Sequence, residues 1–148
     1  MSLARSAGLQ ARPPDFSALE FRASLGMFAT GVTIVTARTA EGELVGLTAN
    51  SFNSVSLTPP LVLWSLSSGA GSMAAFSNGM HYAINVLAAD QQALALQFSS
   101  RSGYRWAGVT FTEGAGGAPL LAGAAATFVC FNRSQYAEVD HVIFVVAV

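Results

Sequence analysis

The chain has 148 residues, of which 52% are hydrophobic and only 10% are charged, and its formal net charge is −1. Seven arginines, no lysine and no basic cluster exclude an electrostatic surface for nucleic acid, and no apolar run reaches the roughly 18–20 residues of a membrane-spanning helix. The length fits one domain, and the shortage of charge predicts that apolar surface is buried against a second copy of the chain in a homodimer.

The N-terminal region predicts a flexible leader over residues 1–15 and a single folded domain over residues 16–148. The domain begins with a capping box, because the Ser17 hydroxyl and the Glu20 carboxylate can satisfy each other's backbone N–H groups. The helix that follows is expected to run to about Gly26.

A β-branched run over 32–36 and a return strand over 43–49 predict a β-hairpin. The stretch over 46–63 comes next and contains small residues, hydroxyls and amides without a single charge. Its two ends predict strands and its middle predicts a loop. A neutral lining of this kind suits a planar, largely uncharged ligand fringed with hydrogen-bonding groups, although a loop whose side chains satisfy its own turns would have the same composition.

The rest of the chain predicts strands over 60–66 and 82–87 and long strands over 124–133 and 139–148. A short helix follows Ser72, and another that Asp90 can begin extends over 89–98. The Gly/Ser-rich turn over 67–72 either presents backbone N–H groups to a phosphate or is an ordinary connection. Residues 99–107, which include Arg101 and Arg105, predict a surface loop or flap. Mostly short strands with three short helices indicate a mainly β fold, a closed or nearly closed antiparallel barrel.

Few side chains in the sequence could carry out catalysis. No spacing of His, Cys or acidic residues predicts a metal site, and neither a dinucleotide-binding glycine motif nor a hydrolytic triad is present. The lone Cys130 lies in an apolar run and predicts a buried core thiol in a reduced, cytoplasmic compartment. His81 predicts a surface residue before a strand.

Asp140 and His141 are the one polar pair in the apolar terminal strand. Strand alternation places their side chains on opposite faces, so the sequence predicts that they do not form a simple dyad. His141 either contributes to a functional site or fills a satisfied core or interface position.

An ordered series of motifs extends from about Phe16 to the last residue. It comprises Phe21-Arg22, Phe28 to Thr36, Thr48 to Phe52, Ser54 to Leu63, Tyr82 to Leu87, Gln91 to Phe98, Arg105 to Val109, Gly117 to Leu121 and Asp140 to Ile143. In this series the chain resembles the short-chain flavin reductase family, the small reductase components of two-component flavin monooxygenases, which are related to the FMN-binding split barrels.

The resemblance implies a dimeric Greek-key split β-barrel that transfers hydride from NADH or NADPH to FMN or FAD and supplies reduced flavin to a partner monooxygenase. It assigns His141 to the catalytic site, where the nicotinamide stacks beside the flavin. The implied cofactor-binding residues are Thr30, Gly31, Thr48, Ala49, Asn50, Ser51, Ser54, Val55, Ser56, Ser65, Ser72 and Phe98. Phe98 has an alternative role as a core residue at a helix end, and no metal is implied.

The alternative function is a flavin-binding split barrel that does not itself oxidise NAD(P)H. Family members carry a Gly-Asp-His motif, whereas this chain has Val139 in place of the glycine. The substitution bears on how closely the backbone approaches the ligand there. The family also continues for a short tail beyond its last strand, so the sequence raises the question of whether part of the dimer interface lies in a further segment.

Overall fold

The computed structural model of the chain describes residues 12–148, which fall into two compact units divided between Thr30 and Gly31. The predicted leader falls largely on residues 1–11, outside the described residues. The prediction of one domain over 16–148 stays a prediction.

The N-terminal unit contains helix α1, Ala18–Gly26. The capping box is confirmed: the Ser17 N–H donates to Glu20 Oε2 at 2.7 Å, and the Glu20 N–H donates to Ser17 Oγ at 3.1 Å. These two bonds satisfy backbone donors that have no partner within the helix, which is why the helix begins here.

The second unit is built almost entirely from antiparallel strands. Its elements in chain order are β1 Thr33–Arg38, β2 Leu44–Ala49, β3 Asn53–Leu57, β4 Pro60–Ser67, α2 Met73–Asn78, β5 His81–Val86, α3 Gln92–Ser99, β6 Phe111–Glu113, β7 Pro119–Leu121, β8 Ala126–Glu138 and β9 His141–Ala147. Single 3₁₀ turns lie at Ala89–Gln91 and Ala115–Gly117.

Seven strands form one antiparallel sheet in the order β2-β1-β5-β8-β9-β4-β3, while β6 and β7 form a separate ribbon. The two edge strands, β2 and β3, are consecutive in the chain and only residues 50–52 connect them. Such a short connection requires the sheet to curl until its edges approach each other, leaving a barrel that is split between β2 and β3. The predicted mainly β split barrel is confirmed.

Side chains alternate between two cores because successive residues of a strand face opposite sides. Inside the barrel, Trp64 stacks on Phe144 with ring centroids 5.0 Å apart, and its indole N–H donates to the Tyr82 hydroxyl at 2.8 Å. On the other side, Phe98 of α3 packs edge-on against Trp106 at 4.9 Å. The sheet is therefore covered on both faces along β1 and β5.

The middle of the stretch 46–63 was predicted to be a loop, and this prediction is wrong for Asn53–Leu57, which form β3 and pair with β4. The strand lacks a buried face, since four of its five residues are exposed, so no hydrophobic alternation marks it in the sequence. Ser72 precedes α2 but makes no side-chain capping bond, and Gln91, rather than Asp90, accepts the Ala88 N–H where the helical segment begins.

None of the described helices has the length and hydrophobicity that a membrane crossing requires.

Candidate functional site

A cavity of about 570 Å³ opens where the edge strand β2 ends. Six of the predicted site residues line it: Thr48, Ala49, Asn50, Ser51, Ser65 and His141. Ser67 and Ala70 of the Gly/Ser-rich turn also line it, as does Glu138, to which the sequence did not point. We call this cavity the main pocket. Its volume lies within the usual range of about 300–1,000 Å³ for small-ligand sites.

Two hydroxyls of the main pocket are already bonded to backbone groups of neighbouring elements. Thr48 Oγ1 donates to the Ala95 carbonyl of α3 at 2.6 Å. Ser51 Oγ accepts the Ser65 N–H at 2.8 Å and donates to the Ser65 carbonyl at 3.1 Å. Ser51 therefore joins the β2–β3 connection to β4 just beyond the point where the β3–β4 ladder ends at Asn53 and Leu63.

Because these two hydroxyls are already bonded, a ligand has other hydrogen-bonding groups of the main pocket available to it. Because β2 is an edge strand, it pairs on one side only, and half of its backbone groups point away from β1. The Gly46 carbonyl of β2 accepts a hydrogen bond from Arg105, and the Ala49 carbonyl accepts one from the Thr33 hydroxyl. The remaining groups that point away from β1, together with the exposed Asn50 amide, which has no hydrogen-bond partner within residues 12–148, are the free donors and acceptors along this wall. The pocket thus offers neutral, backbone-based recognition on this side.

His141, which also lines the main pocket, makes a contact with Asp140 that the sequence analysis predicted not to exist. Asp140 Oδ1 lies 2.8 Å from His141 Nδ1, so the two side chains do form a pair. The prediction was wrong because strand alternation does not apply to Asp140: β9 begins at His141, and Asp140 belongs to the two-residue turn after Glu138. The hydrogen bond from His141 lowers the pKa of Asp140 below its ordinary value, so the carboxylate is ionised at neutral pH.

Val139 is the other residue of that turn, and it is the only non-glycine residue with a positive φ, 53°, in the described part of the chain. Its side chain is fully exposed. A β-branched residue in this left-handed region is strained by about 1–3 kcal/mol, whereas glycine adopts it freely. The substitution noted in the sequence therefore falls where the backbone favours glycine.

We expect Val139→Gly to raise the free energy of unfolding by about 1 kcal/mol, because relief of strain outweighs the greater chain entropy of unfolded glycine. The matched control is Ala137→Gly, two residues earlier in β8, where the backbone is ordinary and glycine should destabilise. Thermal or urea unfolding measures both. Destabilisation by both variants would contradict the assignment of strain to Val139.

A second cavity of about 310 Å³ adjoins the main pocket, since Gly46 and Gly71 on its wall are the chain neighbours of Leu47 and Ala70 on the wall of the first. We call it the adjacent pocket. Ser72 lines it together with Arg101 and Arg105. Arg105 is committed to structure, because its guanidinium donates to the Gly46 carbonyl at 2.9 Å and to the Ser100 carbonyl at 3.0 Å.

Arg101 is different from Arg105. It is exposed and has neither a hydrogen-bond partner nor an ion-pair partner within residues 12–148. Arg101 is therefore the cationic side chain that the adjacent pocket has available for an anionic group. The sequence placed Arg101 in a surface loop, and only the approach of that loop to β2 brings it to the pocket.

The remaining predicted site residues lie elsewhere. Phe98 is completely buried against Trp106 and beside Gly46, which agrees with its alternative role as a core residue and leaves it no surface for stacking on a ligand. The segment Ser54, Val55 and Ser56 lies on β3 and lines neither pocket. Gly31 also lines neither, and Thr30 belongs to the N-terminal unit; their roles stay predictions.

Cys130 is buried, as predicted, and burial raises the pKa of its thiol to about 12, so it is not a nucleophile at neutral pH. Within residues 12–148, no group of three or more His, Cys, Asp or Glu side chains is arranged to hold a metal ion. His81 packs edge-on against Phe131 at 5.2 Å, away from the main pocket.

Comparison with known proteins gives a consistent result. A family model described as flavin reductase like domain matches residues 25–148. FMN reductase (NADH) SmoA of Agrobacterium fabrum is 43% identical over 133 residues, which are 90% of this chain and 75% of that protein. The flavin-dependent monooxygenase reductase subunit HsaB of Rhodococcus jostii is 40% identical over 82% of this chain and 62% of its own length.

A solved structure extends the comparison to the fold. NADH:FAD oxidoreductase SgcE6 of Streptomyces globisporus, in complex with NAD and FAD fragments, has a TM-score of 0.82 and 38% identity, covering 87% of this chain and 78% of that one. The chain spans a smaller share of other relatives, 42% and 56% of two proteins from Rhizobium meliloti.

Proposed function

The chain belongs to the flavin reductase like domain family, and from this premise we propose that it is an NADH-dependent flavin reductase that reduces FMN or FAD. The observation that carries the proposal is the main pocket, in which the neutral end of β2 and His141 line the same cavity of about 570 Å³. Relatives whose names state this activity support it.

The lining of the main pocket fits a flavin ring. An isoalloxazine is planar, uncharged when oxidised and fringed with carbonyl and N–H groups, which suits the small side chains and free backbone groups at Thr48, Ala49 and Asn50. Ser51 and Ser65 support this wall by bonding to each other. When bound, the flavin supplies the acceptor for hydride from the reduced nicotinamide.

The protein's own contribution is binding and orientation. Backbone donors along β2 would stabilise negative charge that develops on a ring held against them, because they are already fixed in place by the sheet. His141 would hold the nicotinamide against that ring. Neither role needs a protein nucleophile or a metal.

The test of this function is oxidation of NADH and of NADPH, followed by the nicotinamide absorbance, with FMN, with FAD and without flavin. Flavin-dependent turnover with NADH is the expected result, and the same assay gives the flavin preference and the donor preference. Flavin binding without turnover would instead establish the alternative, a flavin-binding barrel with no NAD(P)H oxidation of its own.

We further propose that the adjacent pocket holds the flavin phosphate and that Arg101 pairs with it. Arg101→Ala should then raise the KM for FMN by about three- to tenfold, the effect of losing one hydrogen bond to a charged group at an exposed site. Riboflavin, which has no phosphate, provides the matched control, and its KM should not change. Equal effects on FMN and riboflavin would contradict the assignment.

A homodimer is proposed from the outer face of β4, β9 and β8. Leu63 pairs with Val145 and Phe131 with Ala147 on this face, and Phe131 is exposed. The apolar face continues to Ile143, which lines the main pocket, so a second copy would cover the surface beside the site. Sedimentation of a stable monomer at micromolar concentration would refute the dimer.

A partner monooxygenase is proposed as the recipient of reduced flavin, because HsaB and other relatives are named as reductase subunits of such systems. Coupled product formation with a candidate oxygenase encoded near this protein's gene is the measurement that tests it. A cytoplasmic location, proposed because both nucleotides are found there, is tested by cell fractionation.

A further inference from the structure

The turn between β8 and β9 holds Asp140 at a fixed place beside His141. Glu138 and His141 form the last pair of the ladder, which leaves Val139 and Asp140 as the whole of the turn. The backbone of the turn is attached to the end of β4, because the Ser68 N–H donates to the Asp140 carbonyl at 2.9 Å. The Asp140 carboxylate is thus anchored through its own backbone and not through a long, mobile side chain.

The contact with His141 is the one hydrogen bond that Asp140 makes to another side chain within residues 12–148. The carboxylate does not cap a helix, and His141 affects it more strongly than its own backbone N–H does. Both side chains are largely exposed, at 50% for His141 and 86% for Asp140, so the pair contributes little to folding. The pair instead affects the imidazole ring of His141, because Nδ1 is occupied by Asp140 and Nε2 stays available to a ligand in the main pocket.

We propose that Asp140 is a positioning residue, which fixes the Nδ1–H tautomer of His141 so that Nε2 accepts a hydrogen bond from the primary carboxamide of the reduced nicotinamide. The proposal rests on the proposed function and extends it to a residue outside the pocket lining. In a neutral imidazole, the nitrogen that donates to a carboxylate carries the proton, and the other nitrogen is then an acceptor. A carboxamide N–H₂ group is a donor of matching polarity.

Glu138 is the rival partner for this role. It lies directly across from His141 in the ladder, and its side chain lines the main pocket. It makes no hydrogen bond to the ring within the described residues, whereas Asp140 does at 2.8 Å. The geometry therefore favours Asp140, and substitution of each carboxylate separates the two.

The first measurement is the tautomer of His141, read from ¹⁵N–¹H correlation spectra of the ring nitrogens at a pH where the ring is neutral. The chain has two histidines, so His81 is an internal control within the same spectrum. We expect the Nδ1–H signature for His141 in the wild type and in Glu138→Gln, and a shift towards Nε2–H in Asp140→Ala. Asp140→Asn retains an acceptor oxygen and should keep the wild-type tautomer.

The second measurement is steady-state kinetics with the same variants. Asp140→Ala should raise the KM for NADH by about two- to fivefold, the effect of misorienting one hydrogen bond, with kcat, the KM for flavin and the melting midpoint unchanged. Asp140→Asn should restore most of the loss. Glu43→Gln, at an exposed carboxylate that lines neither pocket, is the control for charge removal and should match the wild type.

An unchanged His141 tautomer in Asp140→Ala would overturn the proposal, and so would a shift produced by Glu138→Gln instead. A changed tautomer with an unchanged KM for NADH would also overturn it, because the contact would then have no part in donor binding. The tautomer measurement needs neither flavin nor NADH. A wild-type protein that oxidises no NADH would refute the proposed function. The spectra would still decide whether Asp140 determines the tautomer of the His141 ring.

Discussion

Asn85→Ala should lower the free energy of unfolding by about 2–4 kcal/mol, the largest effect on stability that we expect from one polar side chain in this fold. Asn85 is completely buried. Its Nδ2 donates to the Ile34 carbonyl at 2.9 Å and to Thr36 Oγ1 at 3.0 Å, and its Oδ1 accepts the Leu121 N–H at 3.0 Å. The three bonds connect β5, β1 and β7.

The reason for the size of this effect is that alanine leaves its former partners buried. The Leu121 N–H loses its acceptor and cannot reach water, and each such group costs about 1–3 kcal/mol. Thr36 is part of the same network, because its hydroxyl donates to the Pro119 carbonyl at 2.6 Å. β7 pairs only with the short β6, so the ribbon is attached to the barrel through side-chain bonds, namely this buried network and the contacts of Arg38 with Glu113 and Gly117.

Urea unfolding measures the effect, with Asn78→Ala as the matched control. Asn78 is exposed at the end of α2 and has no side-chain hydrogen bond within residues 12–148, so its loss should cost less than about 0.5 kcal/mol. Thr36→Val and the double variant complete a cycle, in which we expect a coupling of about 1 kcal/mol or more. Additive effects would show that the network does not act as a unit.

The sequence allowed much of the fold to be predicted because its local signals agree with one another. The capping box at Ser17 and Glu20, the β-branched run that became β1 and the continuous apolar run of β9 each specify an element by themselves. The strand β3 could not be predicted, since its pairing with β4 depends on tertiary closure of the barrel and not on a buried face of its own.

The neutral stretch over 46–63 suggested a wall for a neutral ligand, the family resemblance assigned the site residues, and the structure brings six of them to one pocket. What the sequence could not supply was long-range geometry. Arg101 reaches the adjacent pocket only because Arg105 ties its loop to the Gly46 carbonyl of β2. Phe98 is aromatic, as a residue that stacks on a flavin would be, but its position on α3 directs the side chain into the core.

The turn at Val139 and Asp140 explains why Asp140 contacts His141 although the sequence predicted that the two side chains face away from each other. An alternation rule applied through a strand fails at the residue where the strand begins, and a sequence does not mark that residue to within one position. Asp140 lies one position before β9, so its carboxylate meets His141 instead of facing away from it. A single register position thus decides whether the pair exists.

His141→Ala should raise the KM for NADH by about tenfold while changing the KM for flavin by less than about twofold, and it is the largest functional effect that we expect from one side chain. His141 lines the main pocket together with the end of β2, and it is the residue proposed to contact the nicotinamide. Removing the ring takes away both a hydrogen-bond partner and the surface against which the donor packs, about 1.4 kcal/mol in all.

The two Michaelis constants, measured with the other substrate saturating, separate the possible roles of His141. A rise confined to NADH with kcat preserved means loss of donor binding, whereas an equal fall in kcat and kcat/KM would mean that the ring acts only in the transition state. His81→Ala is the matched control, because His81 packs on Phe131 and does not line the main pocket. Unchanged kinetics in His141→Ala would reject the role. An equal rise for flavin and NADH would assign the ring to the flavin wall, and the orienting bond from Asp140 would then act on flavin binding instead of on the donor.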